Sequence, residues 1–492
     1  MANQNNETYE QLGYLKNITV KLLNVDKTKV IDITLQMLNM EIYEDIFSNT
    51  LYGLINVDDS IGLMNGIPGG SQTNIHFPIV GEEFLDITYE IVGRPAVKLL
   101  FSVYNIEEII NSDNFKNRKY KLKFASSEHI DDAKTLIQKS YKSPLSDMAK
   151  DIFTTFLKTT KTLDIEDTQG QQQIIIPRLS PFEALNFLAK RSLSNNDKKK
   201  SASYVCFENT AGFHFCDIET LIQNGFKQKD AAEKTKDDKN LYTYIIKNPN
   251  IAESQADAFK TVITFKIKNR FDTVEKLKRG YFESDTIVYD FINHQITPTR
   301  FKFKDTANST LSVAPYPENS SDFIDKSTST ANNDVYVKKF MVAKDLSTGT
   351  PDTFLENIYA NKAAYMTRLN QNMTTIETYG DPKIKAGDVV TVRYPEIVGT
   401  TLKKGDSNDK YLNGEFLIGT IQHRFTPRAY VTSMDLYKNG YNEKVVQSET
   451  NKGIFGSDSA QDMKSDRNKL INQANQEDTI NTIVSPLVKI FK

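Results

Sequence analysis

The sequence contains no tryptophan, two cysteines and five histidines among its 492 residues. Two cysteines cannot build a disulfide framework, and nothing in the chain demands an oxidising compartment. Absent tryptophan argues against a glycan-binding module, because sugar platforms favour exposed aromatic faces. No run of about 18 apolar residues occurs, so no membrane-spanning helix is expected. The opening MANQNNETYEQLG lacks a basic segment followed by an apolar one, so no signal peptide is expected. Neither sign of charge is in excess: 61 Lys+Arg stand against 63 Asp+Glu, a formal net charge of −2. A broad basic face for gripping nucleic acid is not expected.

Familiar catalytic signatures are missing as well. His76, His129, His214, His294 and His423 stand apart, without helical metal spacing and without an HExxH. No G-x-S-x-G nucleophile elbow occurs. The glycine-rich GLMNGIPGG at Gly62–Gly70 is followed by strand-like SQTNIHFPI, where a phosphate cradle needs Lys and Ser/Thr opening a helix. It reads as a long hairpin loop. Acidic neighbours such as Glu82-Glu83 and Glu107-Glu108 point to opposite faces of a strand and cannot readily share a substrate. The expectation is no enzyme, no catalytic residue and no cofactor.

What the chain does have is strand patterning, with 28 Phe and 23 Tyr to fill cores. Ile18, Val20 and Leu22 alternate with polar neighbours, as do Ile31, Ile33, Leu35 and Met37. Further strands are expected at Leu51–Val57, Asn74–Val80, Phe84–Val92, Val97–Ile106 and Lys119–Phe124. Between Asp131 and Ala189 the period turns helical, and Ser143-Pro144 and Ser180-Pro181 each supply an N-cap followed by proline at N1. Charged, mixed-sign Gly225–Asn240 reads as a surface loop. Strands resume at Ala258–Ile267 and Thr286–Phe291. Thr350-Pro351 opens a helix, and strands follow at Thr374–Tyr379, Val389–Tyr394, Glu415–Phe425 and Tyr430–Tyr437.

The resulting scheme is α+β and mainly β. A flexible arm covers 1–15 and a first β-barrel 16–125. An α+β middle region spans 126–305, some of its strands possible members of a barrel, and a linker covers 306–334. A second β-barrel spans 335–445, and a polar tail with an apolar end spans 446–492.

One cluster could hold a metal. If Phe207 faces Phe215 across the hairpin SYVCF-ENTAG-FHFCDIE, then Cys206 faces Cys216, with Glu208 and His214 beside them. Cys206, His214 and Cys216 are then a weak zinc candidate, or the thiols could pair. The simpler reading is two reduced thiols packed as small hydrophobes, with no metal.

Several stretches together carry a family resemblance. SPFEALNFLAKR leading to YVCFENTAGFHFCDIETL, then FDTVEKLKRGYFESDTIVYD, then AGDVVTVRYPE, NGEFLIGTIQHRF and YVTSMDLY follow in order. With weaker similarity in YEDIFSNTLYGLINVDDS, they resemble the baseplate hub proteins of contractile-tailed bacteriophages. Those are similar in turn to the N-terminal part of secretion-system spike proteins. The resemblance implies a homotrimer whose six tube-like barrels adapt a six-fold tail tube to a three-fold spike. Implied partners are a tail tube protein, a spike protein and other baseplate proteins. DNA would pass through without specific binding, and no membrane is involved. The implied location is the virion baseplate, assembled in the host cytoplasm. Because only residues 446–492 follow the last barrel strand, the spike is expected to be a separate polypeptide. A hub of a phage-like injection system, a cell-wall hydrolase or a glycan-binding tail component are the alternatives.

The C-terminal end carries its own signal. Ile480, Ile483, Val484, Leu487, Val488, Ile490 and Phe491 crowd apolar bulk behind a polar spacer. Such a terminus needs cover, and the spacer's reach favours docking on a partner over docking on its own chain.

Overall fold

Period-two alternation builds the N-terminal unit: Ile18, Val20 and Leu22 are all buried on one face of β1 (Leu15–Leu23). The computed structural model describes residues 15–60, 62–65, 77–91, 94–111, 117–195, 201–235, 241–246, 260–306, 313–314, 316, 338–343, 355–370, 372–395, 409 and 411–443. All of these lie in one unit of the chain, Met1–Val445. After β1 come β2 (Val30–Asp32), β3 (Met37–Asp45), β4 (Tyr52–Asp59), β5 (Phe84–Ile91), β6 (Val97–Asn111) and β7 (Arg118–Ala125). Their inward residues, among them Met40, Ile55, Leu85, Phe101 and Phe124, share one core.

Two expected strands differ here. The run through Ile31, Ile33, Leu35 and Met37 breaks at a 3-10 turn, Thr34–Gln36, because Asp32 Oδ1 accepts from the Thr34 N–H at 2.9 Å. Leu35 is 95% exposed as a result, and β3 starts afresh at Met37. Asn74–Val80 forms no strand over its described residues 77–80.

The middle region mixes helices with two small sheets. It runs α1 (Ser127–Lys134), β8 (Ile137–Ser143), α2 (Leu145–Asp151), β9 (Leu163–Ile165), β10 (Gln172–Leu179), α3 (Pro181–Ala189), β11 (Tyr204–Asn209), β12 (Gly212–Asp217) and α4 (Ile218–Glu233). The Ser180-Pro181 signal is met in full: Ser180 Oγ accepts from the Glu183 N–H while the Glu183 carboxylate accepts from the Ser180 N–H. Inside the stretch expected to be helical, β8 and β10 form an antiparallel pair. Most of the expected loop Gly225–Asn240 is the second half of α4. Asp217 caps that helix by accepting from the Glu219 N–H. Ile218, Leu221, Ile222 and Gly225 form its buried stripe, and Lys, Gln, Ala and Glu propagate it.

The C-terminal unit adds β13 (Thr243–Ile245), β14 (Thr264–Asn269), α5 (Thr273–Arg279), β15 (Glu283–Asp290), β16 (Gln295–Lys302), β17 (Lys338–Ala343), α6 (Leu355–Leu369), β18 (Asn372–Tyr379), β19 (Val389–Arg393), β20 (Gly414–Phe425) and β21 (Tyr430–Lys438). β15, β16 and β17 form a small separate sheet.

Among the described residues, thirteen strands form one sheet with the path β14-β18-β21-β20-β3-β4-β7-β6-β5-β1-β2, β19 and β13 branching from β20. β20 makes this possible. Its first part pairs with β19 through Gly414–Leu417, and its second part pairs with β3 from Thr420↔Asp45 to Phe425↔Met40. Gly419 sits at the irregularity between these parts, where a Cβ would lie 2.1 Å from the Tyr437 ring. The mainly β class therefore holds, but the two β units are one shared wall. No barrel closes among the described residues: β14 and β2 are the ends of the path. Among them, too, no helix is long and apolar enough to cross a membrane.

Candidate functional site

The hairpin β11–β12 pairs in a register that differs by one residue from the expected one. Asn209 pairs with Gly212 across a two-residue turn, which sets Cys206↔Phe215, Val205↔Cys216 and Phe207↔His214. Asn209 Oδ1 accepts from the Ala211 N–H at 2.8 Å, tightening the turn. Gly212 completes it at φ +140°, with Thr162 O only 2.3 Å from where a Cβ would stand. A one-residue slip sends alternate side chains to opposite faces. Cys206 joins Tyr204, Phe213 and Phe215 in the core of the middle region, whereas Cys216 joins Phe207, Ile218 and Leu221 on the other side. Both thiols are free and buried. Burial pushes the Cys206 thiol up to about 12 and raises that of Cys216 well above the ordinary value. The weak metal candidate Cys206, His214, Cys216 does not converge: Cys206 faces away from the other two. Among the described residues, no group of three His, Cys, Asp or Glu is placed to hold a metal.

The tip of this hairpin plugs a three-way junction. Glu44, on β3 of the N-terminal unit, is fully buried. Its Oε1 accepts from the Thr210 N–H of the hairpin turn at 3.3 Å, and its Oε2 from the Ala386 N–H of the C-terminal unit at 2.9 Å. Asn209 Nδ2 donates to Ala386 O at 3.1 Å, so the turn holds both neighbours. His423 Nε2 lies 3.4 Å from Glu44 Oε1, an ion-pair distance, and its Nδ1 is 2.7 Å from Tyr430 Oη. Tyr430 stacks on Phe425 at 4.5 Å. One carboxylate thus ties together all three parts of the chain.

Two further joints flank it. Lys161 Nζ donates to Glu128 Oε2 at 2.7 Å and to Glu208 Oε1 at 2.6 Å, while Glu208 Oε2 accepts from the Leu51 N–H at 2.9 Å. Arg94 donates through Nε and Nη2 to Asp381 Oδ2 at 3.1 and 2.6 Å, linking the two β units by a mostly buried ion pair. Sequence reasoning missed these carboxylates. The available signal was parity: Glu44 falls on the same face as Met40 and Ile42, where an apolar residue is expected.

Beside the plug lies a cavity of about 240 Å³, lined in part by Asp164, His214, Lys383, Lys385 and Asp388. His214 Nδ1 is 3.0 Å from Asp164 Oδ2, its Nε2 is 3.1 Å from Asn209 Oδ1, and its ring stacks on Phe207 at 4.8 Å. Burial pushes the Asp388 carboxyl up to about 7, and the nearby Glu44 adds to this. The Lys385 N–H and the Lys385 charge pull the other way. Folding therefore favours neutral Asp388. The stability this gives is present in acid and is lost as pH rises from the ordinary carboxylate range to about 7. Asp388→Asn keeps an acceptor for Lys385 N and should stabilise the protein at pH 8 by about 1–3 kcal/mol, with little gain at pH 5. Urea denaturation at the two pH values checks this; an equal gain at both would contradict it.

The apolar segment Ile480–Phe491, the docking candidate, lies outside the described residues, as do residues 66–70 of the glycine-rich loop.

No family model matches the sequence, and no curated protein matches it. Solved structures do. A 43 kDa tail protein of prophage MuSo2 from Shewanella oneidensis aligns at TM-score 0.46 and 12% identity, over 86% of this chain and 98% of that one. A tail protein from Neisseria meningitidis aligns at TM-score 0.46 and 11% identity, over 86% and 98%. A chain of the Francisella PdpA-VgrG complex aligns at TM-score 0.41 and 12% identity, over 88% of this chain and 60% of that one. The chain is thus similar to phage tail proteins and to a chain of a PdpA-VgrG complex. Likenesses of this degree carry no assignment, and the functional reading rests on the chain's own residues.

Proposed function

We propose that this protein is a structural baseplate hub of a contractile phage tail, a homotrimer that adapts a six-fold tube to a three-fold spike. The observation that carries the proposal is the shared sheet. Strands from both ends of the chain make one wall, locked by Glu44 and Arg94, and that wall ends in the strands β14 and β2. A wall whose path ends, among the described residues, in β14 and β2 gains stability when further copies continue it, and three copies of a paired β unit give a six-fold ring. Tube-like barrels then arise in the assembly, which surrounds a channel for DNA. A channel for passage should be neutral to acidic, because a basic lining would bind phosphate strongly. The tube, spike and neighbouring baseplate proteins are its partners, and the chain acts without catalysis.

Light scattering of the purified protein, alone and with a candidate spike protein, tests the reading. A trimer supports it, and a strict monomer that never joins a ring overturns it. Cell-wall hydrolysis abolished by changing a single Glu would show instead that the chain is an enzyme.

A further inference from the structure

We propose that His214 is a proton-operated clasp between the middle region and the C-terminal β unit, closed when both ring nitrogens carry hydrogen and loosened when one does not. The orientation of the Asn209 amide is fixed by its other partners. Its Oδ1 accepts from the Ala211 N–H and its Nδ2 donates to Ala386 O, so rotating the amide would break both bonds. The oxygen is therefore the atom that faces His214 Nε2 at 3.1 Å. On the other side, Asp164 Oδ2 faces Nδ1 at 3.0 Å. Both partners are acceptors. The two bonds exist together only on a doubly protonated ring, and a neutral ring sets a lone pair against one of these oxygens.

The surroundings agree with this reading. The ring lies flat on Phe207, 4.8 Å between centroids with an interplanar angle of 16°, a stacking partner suited to a cation. The His214 bond holds the Asp164 carboxyl below the usual range, keeping it an acceptor. The other charged groups around the cavity are Lys383, Lys385 and Asp388 of the C-terminal unit, with Glu44 on β3 behind the turn. Helix α4 contributes only neutral Leu221, Asn224, Gly225 and Gln228. Because Asn209 also holds Ala386, slackening at His214 reaches the contact between the two parts directly.

Hydrogen exchange of the segments 209–217 and 383–388, measured between about pH 5 and about pH 9, tests the clasp across the interval where imidazoles change charge. Beyond the intrinsic rise with pH, protection in the wild type should fall by about three- to tenfold. His214→Phe, which has no ring proton to lose, should show low protection at every pH. Asp388→Asn removes the share of the fall that the Asp388 carboxyl contributes and should retain the remainder at 209–217, the share that His214→Phe lacks. An unchanged fall in His214→Phe, or its loss in Asp388→Asn alone, would overturn the proposal. Should His214→Phe fail to fold, nitrogen-15 spectra of histidine-labelled protein decide instead. The His214 signal, assigned by its absence in His214→Gln, should show two protonated nitrogens at the acid end, and a neutral tautomer throughout would overturn the clasp.

Discussion

Replacing Glu44 with alanine should lower the unfolding free energy by about 3–5 kcal/mol, the range for breaking a buried charged contact. The carboxylate is fully buried and accepts from two backbone N–H groups in different parts of the chain, Thr210 and Ala386. Its removal leaves both donors without an acceptor. Glu44→Gln should cost less, because its amide oxygen still serves one N–H while its NH₂ opposes the other. Urea denaturation gives the ranking, with wild type above Gln above Ala. The exchange of the Thr210 and Ala386 amides should accelerate before global unfolding in the alanine variant. A loss under about 1 kcal/mol would mean that the junction is held by packing alone.

The same residue explains how far the fold was legible. Strands such as β1, β5 and β21 alternate over most of their length, and with β20 their expected and observed spans agree within a few residues. β3 does not, because Glu44 occupies an inward position and Asp32 breaks the preceding run with a turn. With β3 unread, the pairing β3–β20 was also unread, and the two β units looked like separate barrels. That pairing joins residues far apart in the chain, which no local period encodes. The hairpin failed differently. Its strands and residue types were evident, but a two-residue turn in place of a longer one moved the register by one and separated Cys206 from Cys216. Helix α4 was hidden by its charge: Gly225–Glu233 is polar on all but one narrow stripe, and Asp217 ahead of it is the cap that marks it. The functional residues at the joints are charged groups buried by long-range contacts, so they share the illegibility of those contacts.

Lys161→Met should cost about 2–4 kcal/mol at neutral pH, and the cost should shrink on acidification. Lys161 neutralises two buried carboxylates, yet it leaves 31% of its own side chain exposed, and this solvent access moderates the loss. Its two partners respond oppositely in the wild type. Burial raises the Glu128 carboxyl, but the Lys161 charge and bond, helped by Thr159, outweigh it and the result is below the usual value. Glu208, more deeply buried, ends above the usual value because burial prevails over the same lysine. Glu128 therefore gives stability above the ordinary glutamate range that is lost as pH falls through its folded value. Glu208 gives the reverse, stability lost as pH rises through its raised value. Methionine retains much of the lysine stem's packing but takes away the charge that lowers both carboxyls, so in the variant both rise and folding favours their neutral forms. The gap between wild type and variant should narrow steadily from about pH 7 to about pH 4.5, where the carboxyls accept protons. Adding Glu208→Gln to Lys161→Met should recover part of the neutral-pH loss, because one of the two stranded charges is then gone. Denaturant midpoints across this interval are the measurement. If wild type and variant instead run parallel, Lys161 acts through packing, and the joint between Leu51, Glu128 and Glu208 does not depend on its charge.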